Sequence, residues 1–597
     1  MNRDDRWRLL REESLSARRS AAGHATLALF AMAAAYLLFI SWLDPALPWP
    51  VSFASKEPWL LALLNIVPVV LLNLLLLIIT RRVALASWLT MLVIATLYAI
   101  NKLKLQELAT PLLPDDFHFL KALGVNYSFF SHYLAGAKMQ LLIAVLVLAV
   151  TLLLSREKVV PSLRGLRRAL AGIAVVAITF SLVQGSAPWT KIYDAGRLQF
   201  EPWAPFDSAA RTGMITNMLL FHWELRSDGM ERPDLVGAAQ LIRDVQPESN
   251  RAFVAPAAEG FPDIIIVQSE SLFDPSRLEG IEHSPLAHLR ATAARSWAGD
   301  LRVPTFAGGT IRTEFEVLTG MPLAAFPQVR YPYLQFTRRD LPGLARVLTE
   351  NGYRTLAIHP NGGAFWNRNH AFRALGFERF IDVDGFADAE RHGWYISDAA
   401  LIDRIIAELA DDGAPQLIMG ISIQNHGPYT PHGTTATPSA AHGLPQALNE
   451  SQRETLDIYY SLLKATDEQL GRLIAHVEAR RRRTLVLFYS DHLPPLNAIY
   501  ERVPFRDARI AREQPVPWLL FDNRSNDPAA RNVSAWLLPA LVLERAGIPG
   551  GRYFDLLRDV ANNPQQAEEM HALARLHYWT GLDAALDAPA ESSVRID

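Results

Sequence analysis

The chain has 597 residues, half of them hydrophobic, a net charge of -3 and no cysteine. That length predicts more than one folding unit, and the near-neutral charge gives no sign of wholesale nucleic-acid binding. The absence of cysteine excludes disulfides, thiolate-bound zinc, iron–sulfur clusters and cysteine nucleophiles, although a large exported domain needs no disulfide staples.

Five stretches carry no charged side chain: Gly23–Leu43, Pro58–Thr80, Val83–Asn101, Met139–Ser155 and Ala169–Ala187. At 17 to 23 residues each, they match the thickness of a bilayer's hydrocarbon core at helical rise. All lie in the first third of the chain, which argues for a membrane bundle over buried helices of a soluble core. Arginines crowd one side: Arg3, Arg6, Arg8, Arg11, Arg18 and Arg19 before the first span, Arg81 and Arg82 after the second, and Arg156, Arg164, Arg167 and Arg168 after the fourth. By the positive-inside rule the amino terminus is cytoplasmic, and an odd number of spans sends everything after Ala187 outside. Residues 1–187 thus read as a five-span anchor, not a cleaved signal peptide.

Leu113–Leu134, "LPDDFHFLKALGVNYSFFSHYL", is aromatic and amphipathic and reads as lying on the membrane surface. Residues 188–255 read as a connector. From about Phe261 the rhythm changes: short apolar runs "DIIIV", "RTLAIH", "QLIMGIS" and "TLVLFY" alternate with amphipathic helices such as "SDAALIDRIIAELADDG", with Ser397 or Asp398 at its N-cap. The expected fold over 256–552 is an α/β domain on a largely parallel sheet, followed by a helical tail over 553–597. The run Arg480–Arg483 reads as a solvated helix terminus.

In parallel sheets ligands bind beyond the carboxyl ends of the strands. "DIIIVQSESLFD" ends on Glu270, "LVLFYSDH" on Asp491 and His492, "ISIQNHGPY" on Asn425 and His426, and "TLAIHPNGGAFWNRNH" on His359 with Trp366 and Arg368 beyond it. Asp491 and His492 alone would be an ordinary turn before Pro494 and Pro495. Four strand ends bearing ionisable groups point to a shared rim. Glu, Asp and His form a three-ligand set for a divalent cation. One imidazole with oxygen donors and no thiolate suits Mn²⁺ or Mg²⁺ and fits Zn²⁺ less well. "VPTFAGGTIRTEF" offers Thr310, preceded by two glycines, either as a helix N-cap or as a nucleophile in the positive potential of a helix start.

The motifs "SES", "GGTIRTEF", "FWNRN", "NHGPY" and "YSDH", in that order behind five spans, resemble the lipoteichoic acid synthase and phosphoglycerol transferase family of the sulfatase and alkaline phosphatase-like superfamily. The resemblance covers roughly residues 20 to 540. It implies Glu270, Thr310, Asp491 and His492 around one Mn²⁺ or Mg²⁺, Thr310 as catalytic nucleophile, and Trp366, Arg368 and His426 on a phosphoglycerol head group. It also implies phosphatidylglycerol as donor, diacylglycerol as released product, and a glycan or glycerol phosphate acceptor outside a bacterial cytoplasmic (inner) membrane, on its periplasmic side. Two departures bear on the acceptor: Gly309 stands where Gram-positive teichoic acid synthases carry lysine, and the loop after His426 is long.

The nearest alternative is a phosphoethanolamine transferase acting on lipid A or a glycan, which the lack of cysteines disfavours. A true sulfatase lacks its C/S-x-P-x-R motif here. A non-catalytic membrane receptor or assembly factor would have no need of the complete set of ligands and hydroxyl.

Overall fold

The computed structural model describes residues 32–47 except 45, 58–117 except 109, 110 and 115, 137–160, 165–200, 205–226, 260–430 except 328, 337–339 and 364, 444–562 and 569–580. Most of the surface segment read at 113–134 lies outside them. The chain divides into two compact units, one within residues 1–229 and one within 230–597 apart from short exchanged segments.

In the first unit three helices are long and apolar enough to cross a membrane: Leu60–Thr80, Val83–Gln106 and Gly165–Val183. Shorter apolar helices cover Met32–Leu43 and Leu141–Leu154 among the described residues. Leu141, Leu146, Leu166 and Ile173 leave most of their side chains uncovered, as side chains that meet lipid do. Two buried polar side chains inside the unit tie its elements together. Asp44 accepts from the Tyr98 hydroxyl and the Met214 N–H, both at 2.8 Å. Asn65 donates to the Thr212 carbonyl at 2.8 Å and accepts from the Thr216 N–H at 3.1 Å. These bonds bring part of the region read as a connector, the helix Met214–Arg226, into this unit.

Among the described residues the second unit has eleven strands: β1 (Asp263–Ser269), β2 (Trp297–Arg302), β3 (Arg354–Ile358), β4 (Arg379–Ile381), β5 (Arg391–His392), β6 (Tyr395–Ile396), β7 (Gln416–Ile421), β8 (Thr484–Ser490), β9 (Val516–Asp522), β10 (Ala529–Ala530) and β11 (Val533–Ser534). Nine form one sheet in the order β10-β2-β9-β8-β1-β7-β3-β4, with β11 also on β2. The four strands expected from sequence are the adjacent parallel ones, β8-β1-β7-β3. All seven residues of β1 and of β8 are buried, which is why these strands read as unbroken apolar runs: helices cover both faces. β9 joins antiparallel between β8 and β2. Sequence reading missed β2, whose "WAGDLR" mixes glycine, charge and partial exposure.

One expectation changes. The arginines at 480–483 do not form a solvated terminus. Arg480 is buried and pairs with Asp263 at 2.9 Å, Arg482 meets the same carboxylate at 3.1 Å, and Arg483 reaches Asp522 at 2.8 Å. The helix Glu450–Ala479 ends beside the start of β1, so its cations satisfy a buried strand-start carboxylate. At the other end of the domain, the helices Gly551–Asn562 and Glu569–Thr580 pack into the main core through Leu557, Val560, Leu573 and Tyr578, and Tyr553 donates to the Gly320 carbonyl at 2.9 Å.

Candidate active site

Because β8, β1, β7 and β3 run parallel side by side, their carboxyl ends share one edge, and the polar residues after them meet there. One ligand atom from each of Glu270, Asp491 and His492 lies within 4.8 Å of the others, and all three residues are buried. Among the described residues they are the one such group of three. His492 Nε2 is 3.2 Å from Asp491 Oδ2 and 3.6 Å from Glu270 Oε1. The contact between His492 and Glu270 bridges 222 positions of sequence through one pair of neighbouring strands.

The shell around them holds each ligand in place. His492 Nδ1 donates to the Leu493 carbonyl at 2.9 Å, which puts the lone pair on Nε2. The Ser271 N–H donates to Asp491 Oδ1 at 2.8 Å, and the Ser271 hydroxyl donates to Glu270 Oε1 at 2.6 Å. Thr313 donates to the Asp491 carbonyl at 2.7 Å. Ser271 has φ +49, a strained value for serine that aims both its N–H and its hydroxyl into the cluster.

This set fits a cation. Asp491 Oδ2 and His492 Nε2 are buried without a hydrogen-bond partner. An imidazole lone pair there faces carboxylate oxygens, so the arrangement is repulsive until positive charge is placed between them. Burial, and next the Glu270 charge, push the Asp491 carboxyl above its ordinary range, the response expected of two crowded carboxylates. Chelation of divalent cations should therefore lower the melting temperature by several degrees, with Mn²⁺ restoring it. A site filled at 100 times its Kd contributes about 2.7 kcal/mol. Scanning fluorimetry with and without EDTA checks this.

Thr310 opens the helix Thr310–Thr319. The N-cap position is taken by Gly309 at φ +75, with no side-chain cap, so Thr310 is not the capping residue. Its Oγ1 donates toward Glu270 Oε2 at 3.5 Å and also approaches Asp491. Ala307, Gly308 and Gly309 all have positive φ, so the two glycines supply the turn that aims the first helical N–H groups and the hydroxyl at the cluster. A side chain at Gly309 would be strained and would start 3.0 Å from Thr305 Oγ1.

The three residues expected on a head group have different surroundings. Arg368 is buried in an ion pair with Glu314, NH2 at 2.8 Å and Nε at 3.3 Å from both oxygens. Glu314 lies on the helix that Thr310 opens, so this arginine braces that helix. Trp366 is half-buried, 5.2 Å from the Tyr331 ring, and it and Asn367 take left-handed backbone at φ +58 and +59. His426 is half-buried, its Nδ1 2.7 Å from the Gly427 carbonyl and 3.2 Å from the Tyr395 hydroxyl. The tautomer that fits carries its proton on Nδ1 and leaves Nε2 basic. Burial and the Arg368 charge hold His359 well below the usual histidine range. Sequence reasoning missed Glu314, Ser271 and Tyr395; Ser271 sits inside the quoted "SES" and Glu314 inside the quoted "GGTIRTEF", whereas no local pattern marks Tyr395.

Residues 262–542 match the family model described as Sulfatase. A Rhizobium meliloti (strain 1021) protein named for cyclic beta-1,2-glucan modification is 30% identical over 312 residues, 50% of this chain and 48% of that protein. The chain spans about half the length of the curated relatives it matches. Phosphoglycerol transferase GacH of Streptococcus pyogenes aligns over 59% of this chain and 94% of its own at 21% identity, with a TM-score of 0.48. The integral membrane lipooligosaccharide phosphoethanolamine transferase A (EptA) of Neisseria meningitidis aligns over 87% of this chain and 96% of its own at 12% identity, with a TM-score of 0.51, a likeness of fold. Residues 262–542 are thus similar to the Sulfatase family and lie on a largely parallel sheet, preceded in sequence by helices that fit a membrane anchor.

Proposed function

We propose that this protein is a membrane-anchored phosphoglycerol transferase, moving glycerol phosphate from phosphatidylglycerol to an extracytoplasmic glycan or glycerol phosphate acceptor and releasing diacylglycerol. The observation that carries the reading is a threonine hydroxyl at a helix start, 3.5 Å from one member of a buried Glu–Asp–His set. A divalent cation held by Glu270, Asp491 and His492, Mn²⁺ or Mg²⁺ by its donors, supplies positive charge beside the Thr310 hydroxyl and the phosphoryl oxygens. The Thr310 hydroxyl gives its proton to Glu270 Oε2, toward which it points, and Oγ attacks phosphorus; its bond to phosphorus forms as the bond to the diacylglycerol oxygen breaks. The departing oxygen takes a proton, for which His426, protonated on both ring nitrogens at this stage, is the candidate donor. In the second half an acceptor hydroxyl attacks the same phosphorus, His426 takes its proton, the bond to Thr310 breaks, and Glu270 returns the proton to Thr310 Oγ. The two leading amides of the Thr310 helix stabilise charge on the nonbridging oxygens, and Trp366 offers an apolar face to the glycerol carbons.

The anchor supports the donor, because it confines the site to a lipid surface and raises the local concentration of head groups. The glycan acceptor is supported by the relative named for glucan modification. Five spans, a cytoplasmic amino terminus, an inner-membrane location, and the division at 1–187, 188–255, 256–552 and 553–597 belong to the same reading. Mass spectrometry of the Thr310 peptide after incubation with phosphatidylglycerol tests it. A glycerophosphate adduct is the expected result. An ethanolamine phosphate adduct, formed only with phosphatidylethanolamine, would replace this reading with the phosphoethanolamine transferase one.

A further inference from the structure

Behind the site lies a buried carboxylate that the reaction does not use. Asp398 begins the helix Asp398–Glu408, whose N-cap Ser397 accepts from the Ala400 N–H. The Asp398 side chain points into the layer between that helix, the ends of β1 and β7, and the long helix Glu450–Ala479. One arm of contacts leads from it to Glu270. The Glu270 N–H donates to Ser422 Oγ at 2.9 Å, and the Ser422 hydroxyl has the Asp398 carboxylate beside it as the acceptor for its own proton.

The other arm leads to His426. The Asp398 N–H donates to Gln424 Oε1 at 2.9 Å, and Thr466 donates to Asp398 Oδ2 at 2.6 Å. Thr466 Oγ1 also lies 3.2 Å from Asn425 Oδ1, and the Asn425 amide nitrogen is buried without a partner. With its single proton given to Asp398, Thr466 meets that amide as an acceptor, which the flipped amide, with its NH₂ toward Thr466, satisfies. Gln424, Asn425 and His426 are consecutive, so the segment is tied to Asp398 by its N–H at Gln424 and through Thr466 at Asn425.

The remaining oxygen, Asp398 Oδ1, is buried without a partner, as are Ser269 Oγ and Gln469 Oε1. All three residues line a small cavity of about 10 Å³. Two acceptors and one hydroxyl donor are the set that a single bound water satisfies.

We infer that Asp398 is a positioning residue that holds the Glu270 ligand segment and the His426 segment in one register. Its carboxylate accepts from Thr466 and lies beside the Ser422 hydroxyl that receives the Glu270 N–H, its own N–H holds Gln424, and it touches neither substrate nor cation. The inference rests on the reading above only for its activity measurement, since cation affinity reports on the Glu270 segment directly.

The test uses the full chain in detergent or nanodiscs. Asp398→Asn keeps the volume but turns an NH₂ toward Thr466 or Ser422. We expect Mn²⁺ to bind about 10-fold more weakly, read from the free Mn²⁺ signal in electron paramagnetic resonance, in the range that loss of an outer-shell partner gives. We expect kcat for diacylglycerol release to fall about 10-fold or more, with KM within about 2-fold. A variant that loses only melting temperature, with wild-type Mn²⁺ affinity and kcat, overturns the inference. If wild-type protein releases no diacylglycerol, the Mn²⁺ titration decides alone. Should Asp398→Asn not fold, Ser422→Ala and Thr466→Val replace it. A combined loss of Mn²⁺ affinity smaller than the product of the two single losses supports a shared carboxylate, and a loss equal to that product overturns it.

Discussion

Thr310→Ala should abolish diacylglycerol release from labelled phosphatidylglycerol, by at least about 10³-fold, while leaving stability within about 1 kcal/mol of the wild type. The two halves of this expectation have separate causes. Removing the hydroxyl removes the only atom proposed to bond phosphorus. The fold is little affected because Gly309, not Thr310, occupies the N-cap; a true cap lost to alanine costs about 0.5–2 kcal/mol. Mn²⁺ binding should persist, since Glu270, Asp491 and His492 remain. Thr310→Ser should keep part of the activity by retaining an oxygen at the same helix start. Release above about a tenth of wild type in Thr310→Ala would rule out the covalent route. A result of lost activity together with lost Mn²⁺ affinity would instead make Thr310 a structural member of the ligand cluster.

Arg368→Ala should destabilise the outer domain by about 3–5 kcal/mol, because it strands Glu314 as a buried, unpaired charge. Both side chains are almost completely covered, at 2% and 0% exposure, so solvent cannot take over the arginine's role. The double variant Arg368→Ala with Glu314→Ala removes both charges and should recover part of that loss. Activity then separates two roles for the arginine. If the double variant refolds to near wild-type melting temperature but stays inactive, Arg368 also acts on the phosphate, as the sequence motif implied. If activity returns with stability, its role is to brace the Thr310 helix through Glu314. Thermal melts and diacylglycerol release on the same samples give the answer.

Both predictions turn on the same division between near and distant neighbours. "FWNRN" and "GGTIRTEF" mark Arg368 and Glu314 as members of two motifs, but the two lie 54 positions apart, and neither motif shows that they pair. Asp398 is a similar case. It was legible as a residue at a helix start, but its links to Thr466, 68 positions on, and to Gln424, 26 positions on, exist only once two helices and a strand end are layered together. The arginines at 480–483 were misread for the same reason: a helix terminus is expected to be solvated unless a buried carboxylate, here Asp263, waits beside it.

By itself the sequence determined the parallel centre of the sheet, since a strand covered on both faces is apolar through its middle, and "DIIIV", "QLIMGIS", "RTLAIH" and "TLVLFY" are. It also determined the rim, because strands that run the same way deliver their next residues to the same edge, so Glu270, Asp491 and His492 had to converge if those strands were neighbours. Tertiary structure alone decided the strand order, the antiparallel insertion of β9, the capping role of Gly309 and the burial of Arg368 against Glu314. Periodicity records which face of an element is dry. It carries no record of which distant side chain will lie across that face, and charges buried there are held by partners that only the packed fold brings within reach.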